Sequence, residues 1–287
     1  MNSAYSLSWL YYFSLTEKIP FPSVLCLGVD TIDTFFSPLL PAALSPFDFW
    51  LLVVSSLFTS AITAAFGVGG GATLLALMAN ILPASAVIPV HGVVQLGSNT
   101  GRIITMRKYI HWRMAGWFIG GCVIGSAVGG QIAISLPTDW LQIILGGFIL
   151  VMCWEPFKIK AIRDGSSLLL GSVTSFISMF VGVTGIFVIS TLKHVIEDRR
   201  EVIGTLSAMM GFQHLMKCIV FLALGFAFHE WVWLMVLMVG FGFVGTLIGR
   251  TILNKMSNKG FGITVKIVIT ALALRLLYKG FSGVLAS

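Results

Sequence analysis

The sequence predicts an all-α polytopic membrane protein of two inverted repeats, each a glycine-broken segment (re-entrant or hairpin) followed by about three transmembrane helices. Three observations predict it. First, 57% of the 287 residues are hydrophobic and only 10% are charged, and the mean hydropathy is +0.96. A soluble domain carries about 25% charge, so this chain has too little charge to cover a water-facing surface. Disorder needs low hydrophobicity and high charge, and is excluded as well. Second, apolar segments alternate with short polar ones from Trp50 onward. Third, two of those segments are interrupted by glycine at equivalent places, Phe66-Gly67-Val68-Gly69-Gly70-Gly71 and Gly182-Val183-Thr184-Gly185.

The elements follow in order. Residues 1–48 carry Glu17, Lys18, Asp30, Asp33 and Asp48 with prolines at 20, 22, 38, 41 and 46. They hold no uncharged run of the ~18 residues a spanning helix needs, so an irregular or surface-lying extension is expected. No basic stretch precedes an apolar core there, so a cleaved signal peptide is not expected. The first membrane repeat, 49–154, contains a broken segment from Trp50 to Leu82, then Pro89 to Met106, Ala115 to Leu136 and Trp140 to Trp154. A cytoplasmic linker, 155–167, holds Glu155, Lys158, Lys160, Arg163 and Asp164. The second repeat, 168–280, contains a broken segment from Leu168 to Leu192, then Val202 to Phe228, Trp231 to Gly249 and Phe261 to Tyr278, with a tail at 281–287. Trp112, Trp117, Trp140, Trp154, Trp231 and Trp233 lie near segment ends, as interfacial anchors do.

Sliding the chain by 115 residues overlays the halves: Gly67-Val68 falls on Gly182-Val183, Gly70 on Gly185, Arg102 on Lys217, Gly125 on Gly240 and Gly130 on Gly245. Interrupted segments at matching places in duplicated halves are a mark of secondary transporters and of their binding sites. Charge tests the topology. If each broken segment is a hairpin, four basic clusters fall on one side: Arg107/Lys108/Arg113, Lys158/Lys160/Arg163, Lys193/Arg199/Arg200 and Arg250/Lys255/Lys259. The opposite loops, around Leu136–Asp139 and His229–Glu230, hold no Lys or Arg. Full spans would move the last two clusters outside, so the positive-inside rule prefers hairpins and inverted halves.

The candidate site starts at the breaks. A helix interrupted within the membrane exposes backbone polar groups, which is tolerated where they are buried in protein or line a cavity. Helices starting after Gly71 or Gly185 would aim N–H groups inward, and such ends attract anions. Gly67, Gly69, Gly70, Gly71, Gly182, Thr184 and Gly185 are therefore substrate-binding candidates. The bland alternative is that these glycines only permit tight helix crossing.

Two polar stripes accompany the breaks. His91, Gln95, Ser98, Asn99 and Arg102 share one helical face at offsets 0, 4, 7, 8 and 11, and Gln213, His214 and Lys217 repeat the theme in the second half. Polar stripes on membrane helices face protein or water, so all eight join the candidate set. Arg102 could instead snorkel, with Arg107 five residues on. Lys217 sits about 15 residues into its segment, roughly 22 Å deep at ~1.5 Å per residue. The eleven acids lie in the extension, in loops or at segment ends, so none pairs with these cations in mid-membrane. Unpaired cations beside glycine-rich helix ends suit an anion. A coupling proton would fall to His91 and His214, the mid-segment groups that titrate near neutrality, unless these are hydrogen-bonded core histidines.

Other features read as structural. Gly116, Gly120, Gly121, Gly125 and Gly129, and again Gly245 and Gly249, are spaced for close helix crossing. Lys266 and Arg275 lie near segment ends, where snorkelling is expected. Cys26, Cys122, Cys153 and Cys218 have no ligand spacing, and no cofactor or metal is expected. The net charge of +7 reflects basic loops rather than nucleic-acid binding. No GxSxG, HExxH, Walker A or paired-carboxylate motif occurs, so an enzyme is not expected.

The run from Phe66 through Gly71 to Leu82-Pro83, then Pro89 to Asn99, resembles the sulfite exporter TauE/SafE family. So do Gly204-Thr205, Gln213-His214 and Lys217. The resemblance covers roughly residues 48–280 and implies a bacterial inner-membrane permease with two related halves, handling sulfite, organosulfonates and related small anions. The second break departs from the first, with Thr184 and Ile186 where the first has Gly69 and Gly71, so it would bind less closely or through the Thr184 hydroxyl. The expectation is a permease for a small sulfur oxyanion or carboxylate, working by alternating access in the lipid bilayer. The rivals are a passive anion channel on the same fold, an integral-membrane enzyme using His91 or His214, and a structural membrane subunit.

Overall fold

Ser45 opens the first helix. Its hydroxyl accepts from the Asp48 backbone N–H at 3.1 Å and donates to the Asp48 carboxylate at 2.7 Å, and Pro46 between them fits a first helical position. Helix α1 then runs Pro46–Phe66. The computed structural model describes residues 40–66, 69–154, 166–182, 184–252 and 258–286. Residues 1–39, Gly67, Val68, 155–165 of the linker, Val183, 253–257 with Lys255 of the fourth basic cluster, and Ser287 lie outside the described residues.

After the first break come α2 (Gly70–Ile81), α3 (Ala84–Met106), a 3-10 turn (Arg107–Tyr109), α4 (Trp112–Ser135) and α5 (Thr138–Trp154). The second half has α6 (Ser166–Val181), α7 (Gly185–Leu192), α8 (Arg199–Ala223), a 3-10 turn (Phe228–Trp231), α9 (Val232–Ile252) and α10 (Asn258–Ala286). The fold is all-helical, with ten α-helices among the described residues. Gly185 and Arg199 start their helices 115 residues after Gly70 and Ala84 start theirs. The last helix continues through residues 281–286 of the expected tail, and the first takes up the last three residues of the expected extension.

Local chemistry sets the boundaries. Asp198 caps α8 by accepting from the Arg200 N–H at 2.6 Å. The same helix stops where Gly225 takes φ 87°, with Phe226 N bonded to Phe221 O and Gly225 N to Leu222 O. That is a Schellman termination, and it needs a residue at ease with positive φ. Gly69 at φ 103° and Gly182 at φ 70° turn the chain at the two breaks.

Among the described residues, five helices are long and apolar enough to cross a membrane: Pro46–Ala64, Trp112–Ala133, Arg200–Ala223, Phe228–Gly249 and Ile269–Ala286. Helix α3 is not among them, because its polar stripe lowers its hydropathy. The exterior is apolar, with Phe58, Trp117, Val128, Leu169 and Phe243 exposed, whereas Asn99, Gln213, His214 and Lys217 are buried. This arrangement suits lipid as the solvent.

The halves pack across each other reciprocally. Helix α4 lies on α6 and α1 on α9, while α3 pairs with α8 and α5 with α10. On α4, Gly121 and Gly125 press against Leu168 O and the Ser172 backbone, and Gly171 of α6 returns the contact to Phe118 O. On α9, Gly245 and Gly249 sit against Leu57 O and Ala61 O of α1. These are the close crossings that the glycine spacing predicts. Gly116 has no part in them, since a Cβ there would meet nothing within 4 Å.

Candidate functional site

The two breaks face one cavity. Helices α2 and α7 both start on it, through Gly71 and Ala72 on one side and Gly185 and Ile186 on the other. Its volume is about 80 Å³, room for several waters or one small ion. Neither helix start receives a side-chain cap, so the first-turn N–H groups are free of side-chain competition for a ligand.

Helix α3 supplies the polar wall, with Gln95, Asn99 and Arg102 lining the cavity. Asn99 Nδ2 donates to Gln95 O at 2.8 Å. The Arg102 guanidinium folds back on its own helix, donating to Ser98 O at 3.3 Å and Ser98 Oγ at 3.2 Å. Ser98 thus positions Arg102. The one salt bridge among the described residues joins His111 to Glu201, so Arg102 has no carboxylate partner there. Gly71 must be glycine for this wall to close, because a Cβ at that position would run into Gln95 Nε2.

Of the residues expected from the sequence, Gly69, Gly71, Gln95, Asn99, Arg102, Gly182, Thr184, Gly185 and His214 border the cavity. Gly70 instead packs on Thr59 O and Thr63 Oγ1 of α1. Gly67 lies outside the described residues. His91 is fully buried behind the wall and its Nε2 is 3.1 Å from Gly71 O. A carbonyl oxygen only accepts, so Nε2 carries the proton and holds the break in place. Gln213 Oε1 accepts from the Thr184 hydroxyl at 3.2 Å, which occupies that hydroxyl's proton. Lys217 is fully buried, and its Nζ has no hydrogen-bond partner.

Five lining residues escape a search for polar stripes: Thr63, Ala72, Ile186, Leu206 and Met210. Leu206 and Met210 lie 115 residues after His91 and Gln95, so the overlay places them on the matching face of the second half. The cavity is therefore polar on its α3 side and apolar on its α8 side, apart from His214.

Just beyond the cavity, the α3–α4 connection docks on the start of α8. The His111 N–H donates to Thr205 Oγ1 at 3.0 Å, and His111 Nε2 lies 2.8 Å from Glu201 Oε2. Arg200 donates to the Tyr109 hydroxyl at 3.3 Å. That hydrogen bond, followed by one from Lys108, lowers the pKa of the exposed phenol below its ordinary value. No group of three or more metal-ligating side chains occurs among the described residues.

The family model described as sulfite exporter TauE/SafE matches residues 52–276. No curated protein and no solved structure matches the chain.

Proposed function

We propose, on the premise that the chain belongs to the sulfite exporter TauE/SafE family, that it carries a small anion through the cavity between its two helix breaks. Its family makes it a multi-pass membrane transporter and not an enzyme. The cargo proposed is sulfite, an organosulfonate or a related sulfur oxyanion or carboxylate. The observation that carries this reading is Arg102, which lines a cavity flanked by two uncapped helix starts and lacks a carboxylate partner among the described residues. Free helix N-termini and an unpaired guanidinium both favour negative charge. Gly71 lets the backbone approach the anion, Gln95 and Asn99 offer amide donors, and His214 closes the opposite wall.

The mechanism proposed is alternating access by two inverted halves, 49–154 and 168–280, joined by the linker 155–167. The reciprocal pairing of α1 with α9 and α6 with α4 supports it, because a two-fold relation between halves generates such swapped contacts. The family implies a bacterial inner membrane, and the basic loops favour placing those loops in the cytoplasm.

Uptake of labelled sulfite, sulfate, a short sulfonate and a short carboxylate into proteoliposomes tests the reading. Saturable flux of at least one anion is expected, with its KM raised roughly 10- to 100-fold in Arg102→Gln. A KM unchanged by neutralisation of Arg102 would overturn the anion site. Flux that no gradient drives uphill would make the protein a passive channel.

A further inference from the structure

Lys217 stands behind the cavity rather than on it. Its stem passes Gly92 of α3, where an added Cβ would lie 3.1 Å from Lys217 Cδ. The imidazoles of His91 and His214 meet edge to face with centroids 6.1 Å apart, and Lys217 is in electrostatic reach of both. The Nδ1 atom of each ring is buried without a partner, as is Lys217 Nζ. Of these three residues only His214 borders the cavity, so its ring spans from the cavity to the buried interior.

Arg107, Lys108 and Tyr109 of the 3-10 turn and His111 meet α8 at its start, beside Arg199, Arg200 and Glu201 and about four turns of helix from Lys217; nearer to Lys217 the other charged and titratable groups are few. Helix α3 brings Arg102, within electrostatic reach of His214, and α8 itself brings Cys218 beside Lys217. Helix α4 carries Cys122 among apolar residues and Arg113 at its exposed start. Helices α6 and α7 carry no titratable side chain. An ammonium at Lys217 has no counter-ion among the described residues, and a free amine has no partner for its N–H groups. Buried polar groups are normally satisfied, so neither protonation state is locked by the fold. The charge in the cavity decides between them. An anion beside Arg102 and His214 favours the ammonium, and a buried pair is screened little by salt. With the cavity empty, an ammonium there is left buried without that counter-charge.

We propose that Lys217 carries a proton in the transport cycle, gaining it as the anion enters and losing it as the anion leaves, with His214 as its route to the cavity. This rests on the anion-transport reading above. His214 Nε2 takes a proton from cavity water while its Nδ1–H passes one to the Lys217 amine, through a bridging water. The ring ends as the other neutral tautomer, so one proton is moved and none is made or lost. Anion and proton strengthen each other's binding reciprocally, so they cross together in one direction.

The test uses the full chain in proteoliposomes with labelled methanesulfonate, whose own charge is constant over the pH range used. In the wild type, an inside-alkaline pH step is expected to concentrate methanesulfonate above its outside level, and a trapped dye to report proton entry with it. Lys217→Met and Lys217→Gln are expected to abolish both signals while keeping methanesulfonate counterflow, which also shows that they are folded. Uphill accumulation that persists in both variants overturns the inference. So does wild-type counterflow without any response to the pH step. Absence of wild-type counterflow overturns the anion reading itself, and this inference falls with it. His214→Asn is expected to slow proton entry; an unchanged rate removes His214 from the route.

Discussion

The side-chain amide of Gln95 occupies the space that any side chain on Gly71 would need. The break and the polar wall are therefore one unit, with backbone from α2 laid against a donor from α3. The two glycines of that turn nevertheless differ. A methyl on Gly71 meets the end of a flexible side chain, which can move aside. A methyl on Gly70 meets the Thr59 carbonyl of α1, which cannot.

Gly71→Ala should accordingly fold and lose function, whereas Gly70→Ala should lose stability. Overpacking of a rigid contact costs about 1–3 kcal/mol. Thermal unfolding should be near wild type for the first variant and depressed for the second. Transport assays should show a raised KM for the first. Equal unfolding temperatures would show that the α1 contact yields.

Arg102→Gln should raise the KM for the anion by roughly 10- to 100-fold, the equivalent of a lost charged hydrogen bond worth about 1.5–3 kcal/mol. Arg102→Lys should recover only part, since the fork that engages Ser98 is gone. Full recovery by lysine would mean that charge alone matters at this position.

Lys217→Met should stabilise the empty protein, because an apolar side chain replaces a buried amine whose Nζ has no hydrogen-bond partner, which relieves a desolvation cost of about 1–3 kcal/mol. Unfolding in detergent without anion is the measurement. A destabilised variant would reveal a partner for Nζ in the empty state.

The contact of His111 with Glu201 joins the first half to the second at 2.8 Å, with both side chains well exposed at 44% and 39%. Exposed pairs contribute about 0–1 kcal/mol, so Glu201→Gln should leave unfolding nearly unchanged. It lies at the end of the molecule where the cavity meets the α3–α4 connection, so the variant should change the turnover rate. An unchanged rate would make the contact inert to the cycle.

Tyr109 offers a pH signature outside the membrane. Its phenolate is favoured first by the hydrogen bond from Arg200, so the folded value lies below the usual ~10. The associated stabilisation is present above the unfolded value and is lost as pH falls through the folded one. Difference absorbance titration of wild type against Arg200→Ala should show one phenol moving to higher pH in the variant.

Much of the fold was legible because its signals are local. The glycine breaks and the GxxxG ridges each specify a boundary or a crossing by short-range chemistry, whereas the helix start at Ser45-Pro46 with Asp48 was read as part of the irregular extension. The site was legible only in part. Periodicity places His91, Gln95 and Arg102 on one face, but gives no depth behind it. Gln95 and Arg102 reach the cavity while His91 holds the Gly71 carbonyl. Ile186, Leu206 and Met210 were missed because an apolar wall has no polar signature in an apolar chain. The α3 helix is a buried member of the bundle that hydropathy alone passes over.

The glycine ridges of α4 and α9 bring main chain against main chain, with Leu168 O and Leu57 O filling the places of absent methyl groups. Such seams behave as wedges waiting to be driven. A random mutagenesis screen scored by growth would return Gly121, Gly125, Gly171, Gly245 and Gly249 as loss-of-function hits, though none of them touches solute. The genetic map of essential positions would therefore trace the joinery of the two halves as strongly as it traces the cavity. Sorting one from the other requires measuring how much folded protein reaches the membrane alongside how much anion it moves.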